Sequence, residues 1–554
     1  MKLIECVPNF SEGCDKKILD AISASICSVN NVTLLDVDPG AETNRTVFTF
    51  VGAPDAVIEA AYQAIKKAGE LIDMTKHHGT HARMGATDVC PLIPVSGVTV
   101  EECIEYSKKL GKRVGDELGI PVYLYEYSAS KPEWKNLANV RKGEYEALPA
   151  KMQDPAWKPD FGPQEFNAKS GATAIGVREF LIAYNINLNT RDKAKAHDIA
   201  LDIREKGRSA RDEKGKLIRD ANGKKVMKPG IFKECKAVGW FIDEYDRAQI
   251  SINLTNYKIT PVHEVLEKVR ELASAKGILV TGSELVGLTP KEALIQAGKY
   301  YLKKMGETAG ISERKIMETA VKSMGLDDLS EFDLDKKVIE YAIANPDNLV
   351  NLTFTEFADE LASDSPAPGG GSVAAVCVAM SGALSAMVSN LTIDKKGYEK
   401  VQTEAKEYGE LGQAIKERAI SAVDEDTQAF YVMMDAMRLP KKSDEQKAFR
   451  AKAIENATKD AILIPLKTLE ICWDAVQLAA KVEVVGNTNA LSDAGVAALT
   501  ANAGAKAAYL NVMINMGGIS DENFVKDVST KAKDLVDKIN KLALDIEKNV
   551  LERL

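Results

Sequence analysis

Short apolar segments alternate with longer amphipathic ones over the first 127 residues of the chain. The short segments are rich in Val, Ile and Tyr and are bounded by Gly, Pro and Asn, which is typical of strands. The longer segments repeat apolar residues at intervals of three and four, as at Val57, Ala60, Ala61 and Ile65, which is typical of helices. The pattern predicts strands at 3–10, 32–38, 45–52, 89–95 and 120–127, and helices at 16–28, 55–72 and 99–117.

The same order of segments begins again near residue 180. It predicts strands at 180–189, 237–243, 248–254 and 277–283, and helices at 190–206 and 262–275. Two successive β-α-β-β-α-β patterns predict two tandem ferredoxin-like subdomains, each an α/β sandwich, with a ligand cleft between them. The charged, Gly-containing segment from Lys206 to Glu234 interrupts the second pattern, and its composition favours a solvated loop.

Strand signals end near Asn351, and long Ala-rich helical patterns follow, with turns at 367–372, 438–442 and 486–493. This pattern predicts a helical bundle. The whole chain is therefore expected to be multidomain, α+β followed by all-α. We expect N-terminal subdomains at 1–178 and 179–325, a linker at 326–349 and a helical domain at 350–554.

Composition narrows the possible partners and the location of the protein. The net charge of −9 argues against a nucleic-acid or anionic-membrane binder, because such proteins need a dominant basic surface. We find no export signal and expect no apolar run of ~20 residues, so we expect a cytoplasmic protein. The eight cysteines form no CxxC pair, so neither a disulfide framework nor a zinc knuckle is indicated.

Three of the five histidines, His77, His78 and His81, lie in one Gly-containing stretch between a predicted helix and a predicted strand. A loop at this place can present a histidine to a cleft, where it exchanges protons near neutral pH. Metal binding and a purely structural role are alternatives, although HHxxH in a loop lacks the helical HExxH geometry. Asp36 and Asp38 share one face of a predicted strand, where either could orient a histidine or cap a turn.

The C-terminal region contains no histidine, so acid/base chemistry there must come from other residues. On the helical pattern around 415–437, Asp426 falls on the apolar stripe, whereas Asp424 falls on the polar side. A carboxylate on an apolar face is costly unless it is paired or functional, so Asp426 is either a satisfied core residue or a functional one.

Gly369, Gly370, Gly371 and Ser372 lie just ahead of a predicted helix. Free backbone amides and the helix dipole at such a position favour an anionic or carbonyl-bearing ligand. A helix cap with close backbone packing explains the glycines equally well, and the spacing is not that of a P-loop.

Longer motifs carry a family resemblance. The stretches ECVPNFSEG, LLDVDPGAETNRTVFTFVG and LIDMTKHHGTHARMGATDVCPLIPV resemble the glutamate formimidoyltransferase family. LASDSPAPGGGSVAA and VDEDTQAF resemble the cyclodeaminase/cyclohydrolase family. The two resemblances together run nearly end to end, in the order of the bifunctional formimidoyltransferase-cyclodeaminase family.

The resemblance implies an activity and its residues. The formimidoyl group of formimidoylglutamate would pass to tetrahydrofolate, and 5-formimidoyltetrahydrofolate would then cyclise to 5,10-methenyltetrahydrofolate with loss of ammonia. His81 would be the transferase base, steadied by an acid such as Asp38, and Asp426 would serve the deaminase, with Gly369–Ser372 as its ligand loop. The folate-contacting run would be 162–171, represented by Gly162, Pro163, Phe166, Lys169, Ser170 and Gly171.

Further expectations concern cofactors and partners, and two alternatives remain open. We expect a polyglutamated tetrahydrofolate as co-substrate, no metal or redox cofactor, no nucleic-acid or membrane partner, and a homo-oligomer. The first alternative is a formyltransferase fused to a methenyltetrahydrofolate cyclohydrolase. The second is a non-catalytic amino-acid-binding regulatory protein with a helical oligomerisation domain.

Overall fold

In a computed structural model of the chain, the structure describes residues 2–41, 43–79, 82–243, 245–344 and 347–554. These residues form two compact units. Unit 1 comprises 1–293 and 325–343, and unit 2 comprises 294–324 and 344–554.

Unit 1 contains a seven-stranded sheet. Its strands are β1 (Leu3–Cys6), β2 (Asn9–Phe10), β3 (Val32–Gly40), β4 (Arg45–Gly52), β5 (Thr87–Ser96), β6 (Val122–Glu126) and β7 (Thr173–Val177). The spatial order is β3, β4, then β1 with β2, then β5, β7 and β6. β7 is parallel to both β5 and β6, whereas the other pairs are antiparallel.

The two faces of this sheet are covered differently. One face packs against three helices, α1 (Lys16–Cys27), α2 (Pro54–Leu71) and α3 (Val100–Leu118). Near β5, β6 and β7 the opposite face is covered by the segment that carries α4 (Leu137–Val140) and α5 (Glu144–Lys151), with Trp134, Val140 and Leu148 buried against it. A cavity lies on the rest of that face, which we call the open face of the sheet.

A second, four-stranded sheet follows in unit 1. Its strands are β8 (Ile182–Leu188), β11 (Cys235–Ile242), β12 (Arg247–Leu254) and β13 (Val280–Val286), all antiparallel in the order β11, β12, β8, β13. The helix α6 (Lys193–Ile203) packs against β11 and β12, and α7 (Val262–Ser274) packs against β13. The remaining pair, β9 (Arg208–Ser209) with β10 (Met227–Lys228), lies in the mostly exposed segment 206–234.

The remaining helices are almost all in unit 2. They are α8 (Lys291–Met305), α9 (Glu313–Met324), α10 (Leu334–Lys337), α11 (Ile339–Ala342), α12 (Phe354–Leu361), α13 (Gly370–Asn390), α14 (Gln402–Arg438), α15 (Asp444–Val485), α16 (Leu491–Asn515) and α17 (Glu522–Arg553). Of these, α10 and α11 belong to unit 1. The core of unit 2 is formed chiefly by α13, α15, α16 and α17.

The segment 294–324 groups with the helical core rather than with the second sheet. Asn390 donates its side-chain amide to the Gly310 carbonyl at 2.7 Å, and Gln413 donates to the same oxygen at 3.2 Å. The domain boundaries that we predicted from the sequence, which end the second subdomain at residue 325, remain a prediction.

The coarse fold prediction is confirmed, since sheets with helices occupy the N-terminal part and helices alone occupy the C-terminal part.

The expectation that the sequence contains no apolar run of ~20 residues was wrong. Residues 365–393 carry no charged side chain, and α13 within them is long and apolar enough to cross a membrane by length and composition. Because 61% of its most apolar window is buried inside the protein, α13 fits the core helix of a bundle.

Candidate active sites

A cavity of about 340 Å³ lies on the open face of the first sheet. Its wall includes Val89 and Pro91 of β5, Tyr125 of β6, and Val7, which directly follows β1. Four cationic side chains also line it, namely Arg45, Arg141, Arg178 and Lys236. Because Lys236 belongs to β11, the seven-stranded and the four-stranded sheet both contribute to the cavity. This arrangement suits an anionic ligand in a protein of negative net charge.

Three of these cations are held by neighbouring elements. Arg45 opens β4 and donates from Nη1 to the Asn9 Oδ1 atom at 2.8 Å. Arg141 follows α4 and forms an ion pair with Asp88, whose side chain is fully buried. Arg178 directly follows β7 and donates to the Glu179 carbonyl at 3.1 Å. The sheet and its covering segment thus fix guanidinium groups around one space.

Buried acids lie beneath these cations. Burial raises the pKa of the Glu5 carboxyl to about 7, and the nearby Arg178 opposes the shift. Burial also raises the pKa of Asp88, while the Arg141 guanidinium opposes it. Asp88 accepts the backbone N–H of Met84 at 3.0 Å, so it also holds the loop that precedes β5.

The histidine-containing loop is tied to the same region. His77 is buried, and its Nε2 atom lies 2.9 Å from the Asn44 carbonyl. Arg83 Nε donates to His77 Nδ1 at 3.3 Å, which assigns the proton of a neutral ring to Nε2. His78 is exposed, and its carbonyl accepts from Asn44 at 2.7 Å.

His81 lies outside the described residues, so its role remains a prediction. The described residues on both sides of it are anchored near the cavity. Asn44, which contacts His77 and His78, precedes the cavity residue Arg45, and Asp88 contacts both Met84 and Arg141.

Asp36 and Asp38 lie exposed on the edge strand β3. They pair across the sheet with Thr49 and Val47, residues that alternate with the buried Thr46, Phe48 and Phe50 of β4. Both acids therefore occupy the open face of the sheet, as does Arg45. No contact between Asp38 and a histidine is found among the described residues.

The proposed folate run 162–171 packs beside the histidine loop. Ala86 donates its backbone N–H to the Ser170 carbonyl at 2.8 Å. Gly171 has a φ of +67°, and a Cβ there would lie 2.2 Å from the Met84 carbonyl oxygen, so only glycine fits. The loop and the end of the run are thus one packed structure.

Residues within this run differ in accessibility. Ser170 and Gly171 are buried, Phe166 is half-buried, and Gly162, Pro163 and Lys169 are exposed. Lys169 donates from Nζ to the Glu70 carbonyl at 2.7 Å, and the Phe166 ring lies 5.6 Å from that of Tyr145. The exposed and half-buried members can reach a ligand, whereas the buried pair supports the backbone.

In unit 2, Asp426 lies half-buried on α14 at the start of α13. Ser372 Oγ is 3.2 Å from Asp426 Oδ2. Burial raises the pKa of Asp426, and the hydrogen bonds from the side chain and backbone of Ser372 oppose this shift. A carboxyl in this setting can exchange a proton closer to neutral pH than an exposed aspartate.

Gly370, Gly371 and Ser372 form the first turn of α13, whereas the sequence predicted them just ahead of it, and the glycines allow this close approach. A Cβ on Gly371 would lie 2.1 Å from Asp426 Oδ1, so a larger residue would displace the carboxylate. A Cβ on Gly370 would lie 3.1 Å from the Asn511 side chain of α16. The helix begins at Gly369 without a capping side chain, and Gly370 is exposed there.

Asp424 was predicted on the polar side of its helix, but the structure shows its side chain more enclosed than that position suggests. Its side chain accepts the backbone N–H of Leu349 at 2.8 Å, and burial raises its pKa. The chain entering the helical core covers it, which helical periodicity alone cannot reveal. Asp424 therefore serves that connection.

Some candidate functional residues could not be identified from the sequence. Arg141, Arg178, Lys236 and Asn511 occur in no recognisable motif and meet their sites only through the tertiary structure. Across the described ranges, no group of three or more His, Cys, Asp or Glu side chains is placed to hold a metal ion. The absence of a metal remains a prediction, because His81 lies outside those ranges.

Comparisons with known proteins cover both units. The family model of the formiminotransferase domain, N-terminal subdomain, matches 3–178, that of the formiminotransferase domain matches 183–344, and that of formiminotransferase-cyclodeaminase matches 353–534. The formimidoyltransferase-cyclodeaminase of Dictyostelium discoideum is 42% identical over 97% of this chain and 96% of its own length.

Relatives of single parts of the chain are also known. The glutamate formimidoyltransferase of Streptococcus pyogenes serotype M1 is 43% identical over 54% of this chain and 93% of its own length. The methenyltetrahydrofolate cyclohydrolase of Methylorubrum extorquens is 42% identical over 32% of this chain and 85% of its own length.

Proposed function

Because the chain belongs to the formimidoyltransferase-cyclodeaminase family, we propose that it catalyses two consecutive reactions of one-carbon folate metabolism. It transfers the formimidoyl group of N-formimidoyl-L-glutamate to tetrahydrofolate, its co-substrate. It then closes 5-formimidoyltetrahydrofolate to 5,10-methenyltetrahydrofolate and releases ammonia, which places it in histidine degradation.

The observation that carries the transferase assignment is the cation-lined cavity of unit 1. Formimidoylglutamate carries two carboxylates, and guanidinium groups bind carboxylates through paired hydrogen bonds. We assign Arg45 and Arg178 to these carboxylates, and the exposed part of the 162–171 run to the folate. His81 is assigned to act on these substrates.

In the transferase step, N5 of tetrahydrofolate attacks the formimidoyl carbon and the bond from this carbon to the glutamate nitrogen breaks. The proton that N5 loses must reach the departing amine, and a histidine can accept and then donate it near neutral pH. His81 is assigned this relay. Asp38, on the open face of the sheet, is assigned to stabilise the imidazolium.

In the cyclodeaminase step, N10 attacks the same carbon and nitrogen leaves as ammonia. Asp426 is assigned to transfer the proton of N10 to the departing nitrogen. Two observations support this choice: burial raises its pKa, and Ser372 holds the carboxylate at the start of α13. The backbone amides at the N-terminus of α13, where Gly369 is half-buried and Gly370 is exposed, are assigned to the folate ligand.

A cyclohydrolase activity of unit 2 is a second candidate, because the Methylorubrum extorquens relative of this part is named for that reaction. The two reactions start from different folates. A cyclohydrolase opens the methenyl ring with water, whereas the cyclodeaminase forms the ring by expelling ammonia.

The test is a stoichiometric assay of the purified chain with formimidoylglutamate and tetrahydrofolate. Glutamate, ammonia and methenyltetrahydrofolate absorbance are followed together, and equal yields of all three are expected. Transfer from N-formylglutamate without ammonia would contradict the proposed donor. Loss of absorbance from added methenyltetrahydrofolate alone would instead support the cyclohydrolase.

Several finer structural assignments are also proposals. The sheet orders β3-β4-β1-β5 and β11-β12-β8-β13, each with two helices, support tandem ferredoxin-like sandwiches. The family matches support subdomains at 1–178 and 179–325 followed by a helical domain from 350. A homo-oligomeric state and a cytoplasmic location also remain proposals.

A further inference from the structure

Glu126 is an unusual residue in the wall of the transferase cavity. It ends β6 with a φ of +53°, a left-handed conformation that a long side chain rarely adopts. The turn is fixed by Tyr127, which donates its N–H to the Val177 carbonyl, and by Ala129, which donates to the Glu126 carbonyl, each at 3.1 Å. A non-glycine residue held in this way is often found at a functional site.

The Glu126 carboxyl is half-buried and available to a ligand. Within the part of the chain that the structure describes, its side chain forms no hydrogen bond or ion pair. Arg178 and Lys236 line the same cavity but lie beyond ion-pair distance of it. The cavity therefore combines several cations with one carboxylate that has no direct partner.

This pattern of charges in the cavity matches formimidoylglutamate better than N-formylglutamate. Formimidoylglutamate carries two carboxylates and an amidine, and amidines are strong bases that are cationic at neutral pH. The formyl group of N-formylglutamate is a neutral amide. A carboxylate can accept hydrogen bonds from an amidinium through both nitrogens, whereas it would face an uncharged amide without charge compensation.

We propose that Glu126 selects the formimidoyl donor by pairing with its amidinium group, while the surrounding cations receive the glutamate carboxylates. This inference rests on the proposed transferase function. It names the group that separates a formimidoyl donor from a formyl donor, which share the rest of their structure.

The other acids near the cavity are less suited to this role. Asp88 is fully buried and already paired with Arg141. Glu5 is 5% exposed and is not part of the cavity wall. Burial, and after it the charge of Glu234, raises the pKa of Glu126, but Glu234 lies outside the wall and its carboxylate accepts a hydrogen bond from the Thr255 hydroxyl. Glu126 thus combines access to the cavity with a free carboxylate.

The test uses Glu126→Gln in the full chain, with formimidoylglutamate and N-formylglutamate as competing donors. Binding of each is measured calorimetrically without folate, and kcat/KM is measured with tetrahydrofolate. Loss of a hydrogen bond to a charged group should lower binding and kcat/KM for the formimidoyl donor by roughly ten- to a hundredfold. The values for the formyl donor should change little, so that the preference collapses.

Two further variants control this result. Glu133→Gln removes an exposed acid outside the cavity and should leave the preference unchanged. Glu126→Asp keeps the charge and should retain part of the preference. Conversion of supplied 5-formimidoyltetrahydrofolate by unit 2 should remain unchanged in every variant, which reports on the integrity of the chain.

Failure of the proposed role of Glu126 can be distinguished from failure of the transferase assignment. An unchanged preference in Glu126→Gln, or an equal loss for both donors, would overturn the role of Glu126 but not the transferase assignment. A wild-type chain that binds neither donor would contradict the transferase assignment itself.

Discussion

Asp426 and Glu5 are both carboxyl groups whose pKa is raised by burial, yet their surroundings differ. Asp426 receives hydrogen bonds from Ser372 that favour its ionised form, and it borders an exposed helix start. Glu5 lies in the sheet with only the charge of Arg178 to oppose the shift. At the scale of single residues, access to a ligand therefore distinguishes Asp426, a functional acid, from Glu5, a buried structural acid.

Ser372→Ala tests whether Asp426 controls the cyclodeaminase. Because Ser372 lowers the pKa of Asp426, removing its hydroxyl should raise that pKa. The limb of the cyclodeaminase pH–rate profile that reports Asp426 should therefore move to higher pH. The measurement is the rate of ring closure from supplied 5-formimidoyltetrahydrofolate across the pH range.

A matched control is Ser381→Ala on the same helix. Ser381 is also buried, but it donates to the Ala497 carbonyl at 2.7 Å, away from Asp426. Its pH profile should remain at the wild-type position. A profile that moves in both variants, or in neither, would contradict the link between Ser372 and the reacting acid.

At the scale of elements, the start of α13 is enclosed by α14 and α16. Gly371 faces Asp426 of α14, and Gly370 faces Asn511 of α16. The site thus depends on how closely three helices pack rather than on one motif. Small residues along α13 allow this packing, since it is among the most buried helices of unit 2.

Gly371→Ala should disrupt the cyclodeaminase by displacing Asp426. An added Cβ would lie 2.1 Å from Oδ1, so the carboxylate must move, and a misplaced catalytic group costs about a hundredfold in rate. Transferase activity, measured as glutamate release, should be retained. In Gly517→Ala the new Cβ meets nothing within 4 Å, and this variant should keep both activities. Full ring closure by Gly371→Ala would contradict the placement of Asp426.

Most elements could be predicted from sequence because their apolar patterns are local. The strand β4 was predicted with its observed bounds, and α2 differs from its prediction by one residue at each end. The strand β7 was missed because it is short, is buried along its whole length and follows a long loop-rich segment. Its parallel pairing with β5 and β6 is a long-range contact that no local pattern encodes.

The candidate sites could be predicted only in part, for the same reason. Asp426 was identified because a carboxylate on an apolar stripe departs from the helical pattern. Arg141, Arg178 and Lys236 come from three distant segments, so only the folded chain shows that they line one cavity. Ser372 was placed in a ligand loop, but its hydrogen bond to Asp426 depends on the packing of two helices.

At the scale of the whole molecule, the chain joins two units with different chemistry. Unit 1 offers a cationic cavity beside a histidine loop, and unit 2 offers a half-buried carboxyl at a helix start. An overall negative protein with a local cationic cavity attracts anionic substrates there without becoming a general anion binder. The central claim is that each unit carries its own active site.

The measurement that tests this claim most directly compares wild type, His81→Ala and Asp426→Asn in two separate assays. One assay follows glutamate release from formimidoylglutamate, and the other follows ammonia release from supplied 5-formimidoyltetrahydrofolate. We expect His81→Ala to lose only the first activity and Asp426→Asn to lose only the second, each by about a hundredfold or more. If either folded variant loses both activities, or neither, two independent active sites are contradicted.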